Sequence, residues 1–149
     1  MSKREEQAVQ NFLDGCNCAQ SVLLAYADVL GLTQEQAAMI SVGFGGGMGR
    51  LREVCGAVSG MFMVAGLLAG YTNDDPKEKK DAHYALIQQL ANEFKAEHST
   101  IICRDLLGSL GNSTSPVSDP RTAEYYKVRP CVRFVITASD ILDRHFFTA

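Results

Sequence analysis

The feature that most constrains the fold is an uncharged run at residues 54–73. A helix formed there would be apolar on every side, so it must be buried on every side. Small residues spaced by four, Gly56 with Gly60 and Gly66 with Gly70, would let neighbouring helices approach closely. The run is also long enough to cross a bilayer. Its Gly, Ala, Ser and Cys content, without Trp or a basic flank, favours the centre of a helical bundle over a membrane span.

Capping signals predict helices through most of the remaining chain. A polar cap followed three residues later by Glu or Gln marks a helix start, and this pattern occurs at Ser2, Asn17 and Thr33. Pro76 and Pro130 mark two further starts, because proline suits the first turn. The expected buried faces are Ala8, Val9, Phe12 and Leu13; Val22, Leu23, Tyr26 and Leu30; Ala82, Leu86, Leu90 and Phe94; and Val132, Val135, Ser139, Leu142 and Phe146.

These signals together predict the fold class. No segment alternates polar and apolar residues as a half-buried strand does. A loop is expected over residues 108–120, with a short helical turn starting at Asp119-Pro120. We therefore predict an all-α, single-domain helical bundle over residues 1–149, with about six or seven helices around the glycine-rich central helix.

Charge and the amino terminus restrict the class of partner and the compartment. The formal net charge is −3, with acidic and basic residues interleaved, which argues against nucleic acid as a partner. The residues after Met1 include no apolar stretch of the kind found in a secretory signal. We therefore expect a cytoplasmic protein. In that reducing compartment a cysteine cluster more often binds metal or takes part in catalysis than forms structural disulfides.

Four of the five cysteines stand at predicted helix starts. These are Cys18 after Asn17, Cys55 at the head of CGAVSG, Cys103 after Ser99 and Thr100, and Cys131 after Pro130. A helix start offers free N–H groups and a partial positive charge, both of which stabilise a thiolate. Arg104 and Arg133 would stabilise it further if they turned towards the sulfur atoms. The pattern predicts a redox or metal centre built from the four thiols.

The residues alone leave three kinds of site open. There is no Cys-x-x-Cys pair, so the chain has neither a thioredoxin motif nor a zinc ribbon. Four clustered thiolates repel one another, so they either bind zinc or an iron–sulfur cluster or pair as reversible disulfides. In the third alternative they are buried structural residues of a helical interaction module. Cys16 is an additional thiol: it is exposed, or it forms a strained disulfide with Cys18.

Two other groups of residues were candidates for binding. The Gly43–Arg50 segment lacks the strand and the Lys-Ser/Thr ending of a nucleotide-binding loop. It is expected to be a hinge or a close-packed connection, whose amides and Arg50 or Arg52 could bond an anionic ligand or nearby thiolates. The histidines are His83, His98 and His145, and none has metal-ligand spacing. They are expected at the surface, with His98 the best placed as a ligand.

Four motifs resemble a known family. They are Gly15–Gln20 (GCNCAQ), Cys55–Gly60 (CGAVSG), Cys103–Leu107 (CRDLL) and Cys131. In this order they resemble the C_GCAxxG_C_C family, for which a redox activity has been proposed. The resemblance implies that Cys18, Cys55, Cys103 and Cys131 are the site residues, with Cys16 an extra. Because members are often encoded beside transporters, it also implies a transporter as an associated partner.

The resulting functional prediction is a redox-active protein that uses its clustered cysteines for thiol–disulfide or electron-transfer chemistry. Its expected partners are a redox protein or a small thiol. The alternative is a zinc or iron–sulfur module with the same four ligands. The sequence leaves open whether the sulfur atoms meet within one chain or across a homo-oligomer.

Overall fold

The computed structural model describes residues 1–148, which form eight α-helices and no strand. They are α1 (Lys3–Leu13), α2 (Cys18–Leu30), α3 (Gln34–Ser41), α4 (Gly56–Ala69), α5 (Lys77–His98), α6 (Cys103–Leu107), α7 (Ala123–Val128) and α8 (Cys131–Phe146). Two 3₁₀ turns lie at Val42–Phe44 and Gly108–Gly111. The all-α prediction is confirmed. The count exceeds the expected one because α6 and α7 are single turns of 5 and 6 residues.

Side-chain caps fix where the first helices begin. The Asn17 and Thr33 side chains each accept a hydrogen bond from the backbone amide three residues later. The Gln20 and Gln36 side chains accept from the backbone amides of Asn17 and Thr33, which completes both capping boxes. These predicted starts are confirmed. Ser2 caps α1 through its hydroxyl alone. The start predicted at Asp119-Pro120 was wrong by a few residues, because Thr122 supplies the cap and the helix begins at Ala123.

Helix α4 is the buried centre of the bundle, as predicted, and it packs against α2, α5 and α8. An added Cβ at Gly60 would lie 2.9 Å from the carbonyl oxygen of Ala19 in α2, so the two helices are in close contact there. Burial ends before the helix does, since Leu67 is 55% exposed. Within residues 1–148 no helix has both the length and the apolar character that crossing a bilayer requires.

The core contains most of the predicted apolar positions. Phe12, Tyr26, Phe94 and Leu142 are among the fully buried side chains. Two assignments were wrong. Leu13 is exposed because it is the last residue of α1. Ala82 is exposed because the burial of α5 begins further along the helix, where Leu90 and Phe94 contribute to the core.

Candidate functional site

The four predicted site cysteines line one cavity of about 280 Å³. Cys18, Cys103 and Cys131 are the first residues of α2, α6 and α8, and Cys55 immediately precedes α4. Four helix N-termini therefore meet at this cavity within a single chain. All five cysteines are free thiols, and Cys16 does not line the cavity.

A short antiparallel backbone pairing brings two of the cysteines together. The Cys55 amide donates to the Ile101 carbonyl at 2.8 Å, and the Cys103 amide donates to the Glu53 carbonyl at 2.6 Å. The same pairing forms an isolated bridge between Val54 and Ile102. Since α4 follows one of these segments and α6 follows the other, the pairing brings the N-termini of both helices, with Cys55 and Cys103, to the same cavity despite their separation in sequence.

The glycine-rich segment is a close-packed wall of the cavity. Gly46 and Gly47 have φ of 65° and 69°, values that side chains disfavour, so residues 45–48 form a tight turn rather than a true helical one. A Cβ at Gly47 would lie 2.6 Å from the Cβ of Cys103, and one at Gly45 would lie 2.4 Å from the Asn17 side chain. This geometry confirms the close-packed connection expected from the sequence.

Arg52 emerges from this turn and reaches a thiol. The side chain is buried, with 3% exposure. Its Nη1 donates to Cys103 Sγ at 3.7 Å and its Nε donates to the Ser113 carbonyl at 2.9 Å. Of Arg50 and Arg52, Arg52 is the one that reaches a cavity sulfur, and that sulfur belongs to a thiol rather than to the expected thiolate. Its Nη2 has no hydrogen-bond partner among the described residues.

The two arginines that follow Cys103 and Cys131 closely in sequence do not turn towards the cavity. Arg104 is half exposed and pairs with Glu53 at 3.3 Å, and Arg133 is exposed. Both follow a buried cysteine by one or two positions, and each helical position rotates by about 100°. Burying Cys103 and Cys131 therefore points these two arginines away from the cavity.

Two arginines that were not predicted from the sequence line the cavity instead, namely Arg121 and Arg129. The Arg121 guanidinium lies 4.6 Å from the Phe12 ring centre and 4.8 Å from that of Tyr125, and it donates to the Cys16 carbonyl at 3.0 Å. Arg129 donates to Asp119 at 2.6 Å. Arg129 lies two residues before Cys131, which was a usable signal. Nothing local marks Arg121, because its contacts come from distant parts of the chain.

One thiol of the four is set apart by its neighbours. The pKa of Cys131 is lowered to about 7, and the largest cause is side-chain hydrogen bonding with Cys18. The positive charges of Arg129, Arg121 and Arg52 lower it further, whereas burial raises it. The same hydrogen bonding raises the pKa of Cys18 well above its usual value. Of this pair, Cys131 is therefore the thiol that loses its proton at the lower pH.

The other two cavity thiols stay protonated at neutral pH. Burial raises the pKa of Cys55 to about 12. Burial also raises the pKa of Cys103, although the hydrogen bond from Arg52 opposes the shift. A single thiolate among three thiols avoids the mutual repulsion of four clustered anions.

The described residues contain no group of three or more His, Cys, Asp or Glu side chains arranged to hold a metal ion. The metal site with Cys18, Cys55, Cys103 and Cys131 as ligands is thus not confirmed. None of the three histidines lines the cavity. His98, the best-placed candidate ligand from the sequence, lies 2.8 Å from the Thr137 hydroxyl, and His145 pairs with Glu93.

Comparison with known families now connects this geometry with the sequence motifs. The family described as "Putative redox-active protein (C_GCAxxG_C_C)" matches residues 16–145. The chain belongs to this family. The match contains all four cavity cysteines, and the resemblance predicted from the motifs is confirmed. The family description supports a redox role in general terms. No curated protein and no solved structure matches the chain significantly.

Proposed function

We propose that the protein carries out thiol–disulfide exchange, with Cys131 as the attacking thiolate and Cys18 as the second thiol. The observation that carries the proposal is that Cys18 and Cys131 line the same arginine-lined cavity. The influence of Cys18 and of three arginines, which lowers the pKa of Cys131 to about 7, supports the choice of Cys131 as the attacking group. A thiol with a pKa near the ambient pH is the most effective attacking group, because it combines a high thiolate fraction with strong nucleophilicity.

The exchange balances in two steps. Cys131 Sγ attacks one sulfur of a disulfide R–S–S–R, the S–S bond breaks, and a mixed disulfide forms as RS⁻ leaves. Cys18 then loses its proton to the released thiolate and attacks Cys131 Sγ, which expels the second RS⁻. The substrate is reduced by two electrons and the protein gains a Cys18–Cys131 disulfide. A redox protein or small dithiol of a reducing compartment such as the cytoplasm would restore both thiols.

Cys55 and Cys103 belong to the proposed set in a different role. They line the same cavity, are connected by the backbone pairing between their two segments, and are protonated at neutral pH. Under the proposal they do not start the reaction. They are a second pair of thiols positioned to exchange with the Cys18–Cys131 disulfide once it has formed.

The exchange is tested with three serine variants and an uncharged disulfide, bis(2-hydroxyethyl) disulfide. With one equivalent of the disulfide, reduced wild-type protein is expected to lose two thiols and to release two molecules of 2-mercaptoethanol. Cys18→Ser should stop at a mixed disulfide on Cys131, detected by intact mass and peptide mapping, and Cys131→Ser should lose reaction at this site. Cys16→Ser is the matched control, since Cys16 lies outside the cavity, and it should react like wild type.

Two outcomes would overturn the proposal. One is a Cys131→Ser protein that reacts as fast as wild type. The other comes from anaerobic purification followed by metal analysis and a visible spectrum. Stoichiometric zinc or iron bound by all four cavity thiols, with those thiols protected from the disulfide, would establish the metal-binding alternative instead.

A further inference from the structure

The cavity concentrates positive charge in a chain that is negative overall. Four arginines line it, namely Arg50, Arg52, Arg121 and Arg129, whereas Asp119 is the one carboxylate among the described lining residues. The formal net charge of the whole chain is −3. A cleft with low-dielectric walls and one sign of charge raises the local concentration of the opposite ion. The cavity therefore favours anions.

Asp119 neutralises only part of this charge. It pairs with Arg129 at 2.6 Å and with Arg50 at 3.3 Å, so one carboxylate serves two guanidinium groups. Neither Arg52 nor Arg121 has a carboxylate partner within residues 1–148. Even with Cys131 ionised, the lining keeps a net positive charge.

Among the four arginines, Arg52 stands out because it is buried and, in the described part of the chain, lacks both a carboxylate partner and a hydrogen bond at one nitrogen. It is 3% exposed, and its hydrogen bonds go to a carbonyl and a thiol. Nη2 remains without a partner among the described residues. A buried guanidinium without a counter-ion is costly, since desolvation is not repaid by pairing. An anionic group that reached this guanidinium would supply the missing partner.

Size and lining restrict what the anion can be. At about 280 Å³ the cavity lies near the lower limit for small-molecule pockets. Leu106, Tyr125 and Phe134 contribute apolar wall beside the arginines. Such a site suits a compact molecule with a short apolar body and terminal acid groups, and it is too small for a peptide segment of any length. The guanidinium fork is suited to binding a carboxylate through both oxygens.

We propose that the substrates of this cavity are small disulfides that carry carboxylates, held by Arg52 and Arg121 so that their sulfur atoms meet Cys131. This inference rests on the exchange chemistry proposed above. With dithiodiglycolate, attack by Cys131 releases one thioglycolate and leaves the other bound as a mixed disulfide. Cys18 then displaces the second, so one S–S bond breaks in the substrate and one forms in the protein.

The first test compares three small disulfides of different charge: dithiodiglycolate (2−), bis(2-hydroxyethyl) disulfide (neutral) and cystamine (2+). Each second-order rate constant is divided by that of 2-mercaptoethanol with the same disulfide, which removes differences in intrinsic reactivity. The anion is expected to react at least about tenfold faster than the neutral disulfide and the cation more slowly still. The preference should fall as salt is raised.

Arg52→Met tests the residue that carries the inference. The variant is expected to react more slowly with every disulfide, because Arg52 also lowers the pKa of Cys131, and to lose most of the preference for the anion. The preference is therefore scored as the ratio of the rate with the anion to the rate with the neutral disulfide, measured in the same variant at the same pH. Arg144→Met removes the same charge from the far end of α8, about 20 Å from Cys131 at 1.5 Å per residue. Arg144 is half exposed and pairs with Glu93 and Asp140 outside the cavity, so this control should keep the wild-type preference.

A binding measurement separates the two proposals. Calorimetry of dithiodiglycolate with Cys131→Ser, which cannot start the reaction, should show saturable binding that Arg52→Met weakens in the same background. Binding without reaction in wild type would overturn the exchange chemistry and, with it, the substrate class. Equal normalised rates for all three disulfides would overturn the substrate class alone. If Arg52→Met does not fold, the salt dependence of the wild-type preference decides the question.

Discussion

Cys55 and Cys131 both stand at the beginning of a helix, yet burial raises the pKa of Cys55 to about 12 and the surroundings of Cys131 lower its pKa to about 7. A helix N-terminus contributes at most about 2 kcal/mol, or about 1.5 pKa units. That is too little to explain the contrast. The difference comes from Cys18, which bonds Cys131, and from three arginines that approach Cys131.

The pH dependence of Cys131 alkylation measures how far Cys18 lowers the pKa of Cys131. The rate with iodoacetamide is expected to rise with pH through a midpoint near 7, because the thiolate reacts and the thiol does not. Cys18→Ala removes the donor, so the midpoint should move to higher pH. Cys18→Ser retains a hydroxyl donor and should move it less. The profile is measured by mass spectrometry of the Cys131 peptide.

The control for this titration is Cys16→Ala, which leaves the cavity intact and should keep the wild-type midpoint. An unchanged midpoint in Cys18→Ala would show that the arginines alone hold the thiolate.

The helix-start positions of the site cysteines could be predicted from the sequence, and most of their electrostatic surroundings could not. Asn17 and Gln20 mark the start of α2 by a local pattern, and Pro130 marks that of α8. Arg121 reaches the cavity only because an otherwise irregular loop packs its side chain on the ring of Phe12, far away in sequence. No local pattern encodes such a contact.

At the scale of the elements, the spacing of glycines in α4 correctly predicted close helix packing in the first half of the helix only. An added Cβ at Gly56 would lie 3.0 Å from the Phe44 carbonyl oxygen, and one at Gly60 would meet the Ala19 carbonyl, so both glycines permit close packing. Gly66 has nothing within 4 Å of the added atom. Identical sequence spacing therefore has different structural meanings in the two halves, because α2 crosses only the first.

Substitution of glycine by alanine should therefore change the free energy of unfolding in opposite directions at two positions of α4. Gly60→Ala is expected to lower the free energy of unfolding by about 1–3 kcal/mol, as overpacking does. Gly66→Ala should raise it by about 0.5–1 kcal/mol, since alanine favours a helix and meets no neighbour. Urea denaturation followed by circular dichroism measures both. Equal destabilisation by the two changes would contradict the packing assigned to α4.

At the scale of the whole molecule, the proposed disulfide would join α2 near the beginning of the chain to α8 near its end. Its formation closes a loop on the order of 100 residues, for which the entropy lost by the unfolded chain corresponds to about 4.7 kcal/mol. The oxidised protein is therefore expected to unfold at a higher urea concentration than the reduced protein.

The comparison is best made in Cys16→Ser, which keeps both proposed partners and removes the thiol nearest to them in sequence. Cys131→Ser treated with the same oxidant is the control, and it should show no such gain. A lower urea midpoint for the oxidised protein would indicate that the strain from joining α2 to α8 exceeds the stabilisation gained from loop closure.

The backbone around Arg52 has a consequence for how fast a ligand is captured. Met48, Arg50 and Arg52 have φ of 69°, 68° and 63°, a conformation that costs residues other than glycine about 1–2 kcal/mol each. Bonds from Arg50 to the Ser115 carbonyl and from Arg52 to the Ser113 carbonyl fasten this turn to the opposite loop. The turn that carries Arg50 and Arg52 is therefore held in place before an anion binds. We expect binding of the anion to the cavity to be a single kinetic step, limited by its diffusion into the cavity.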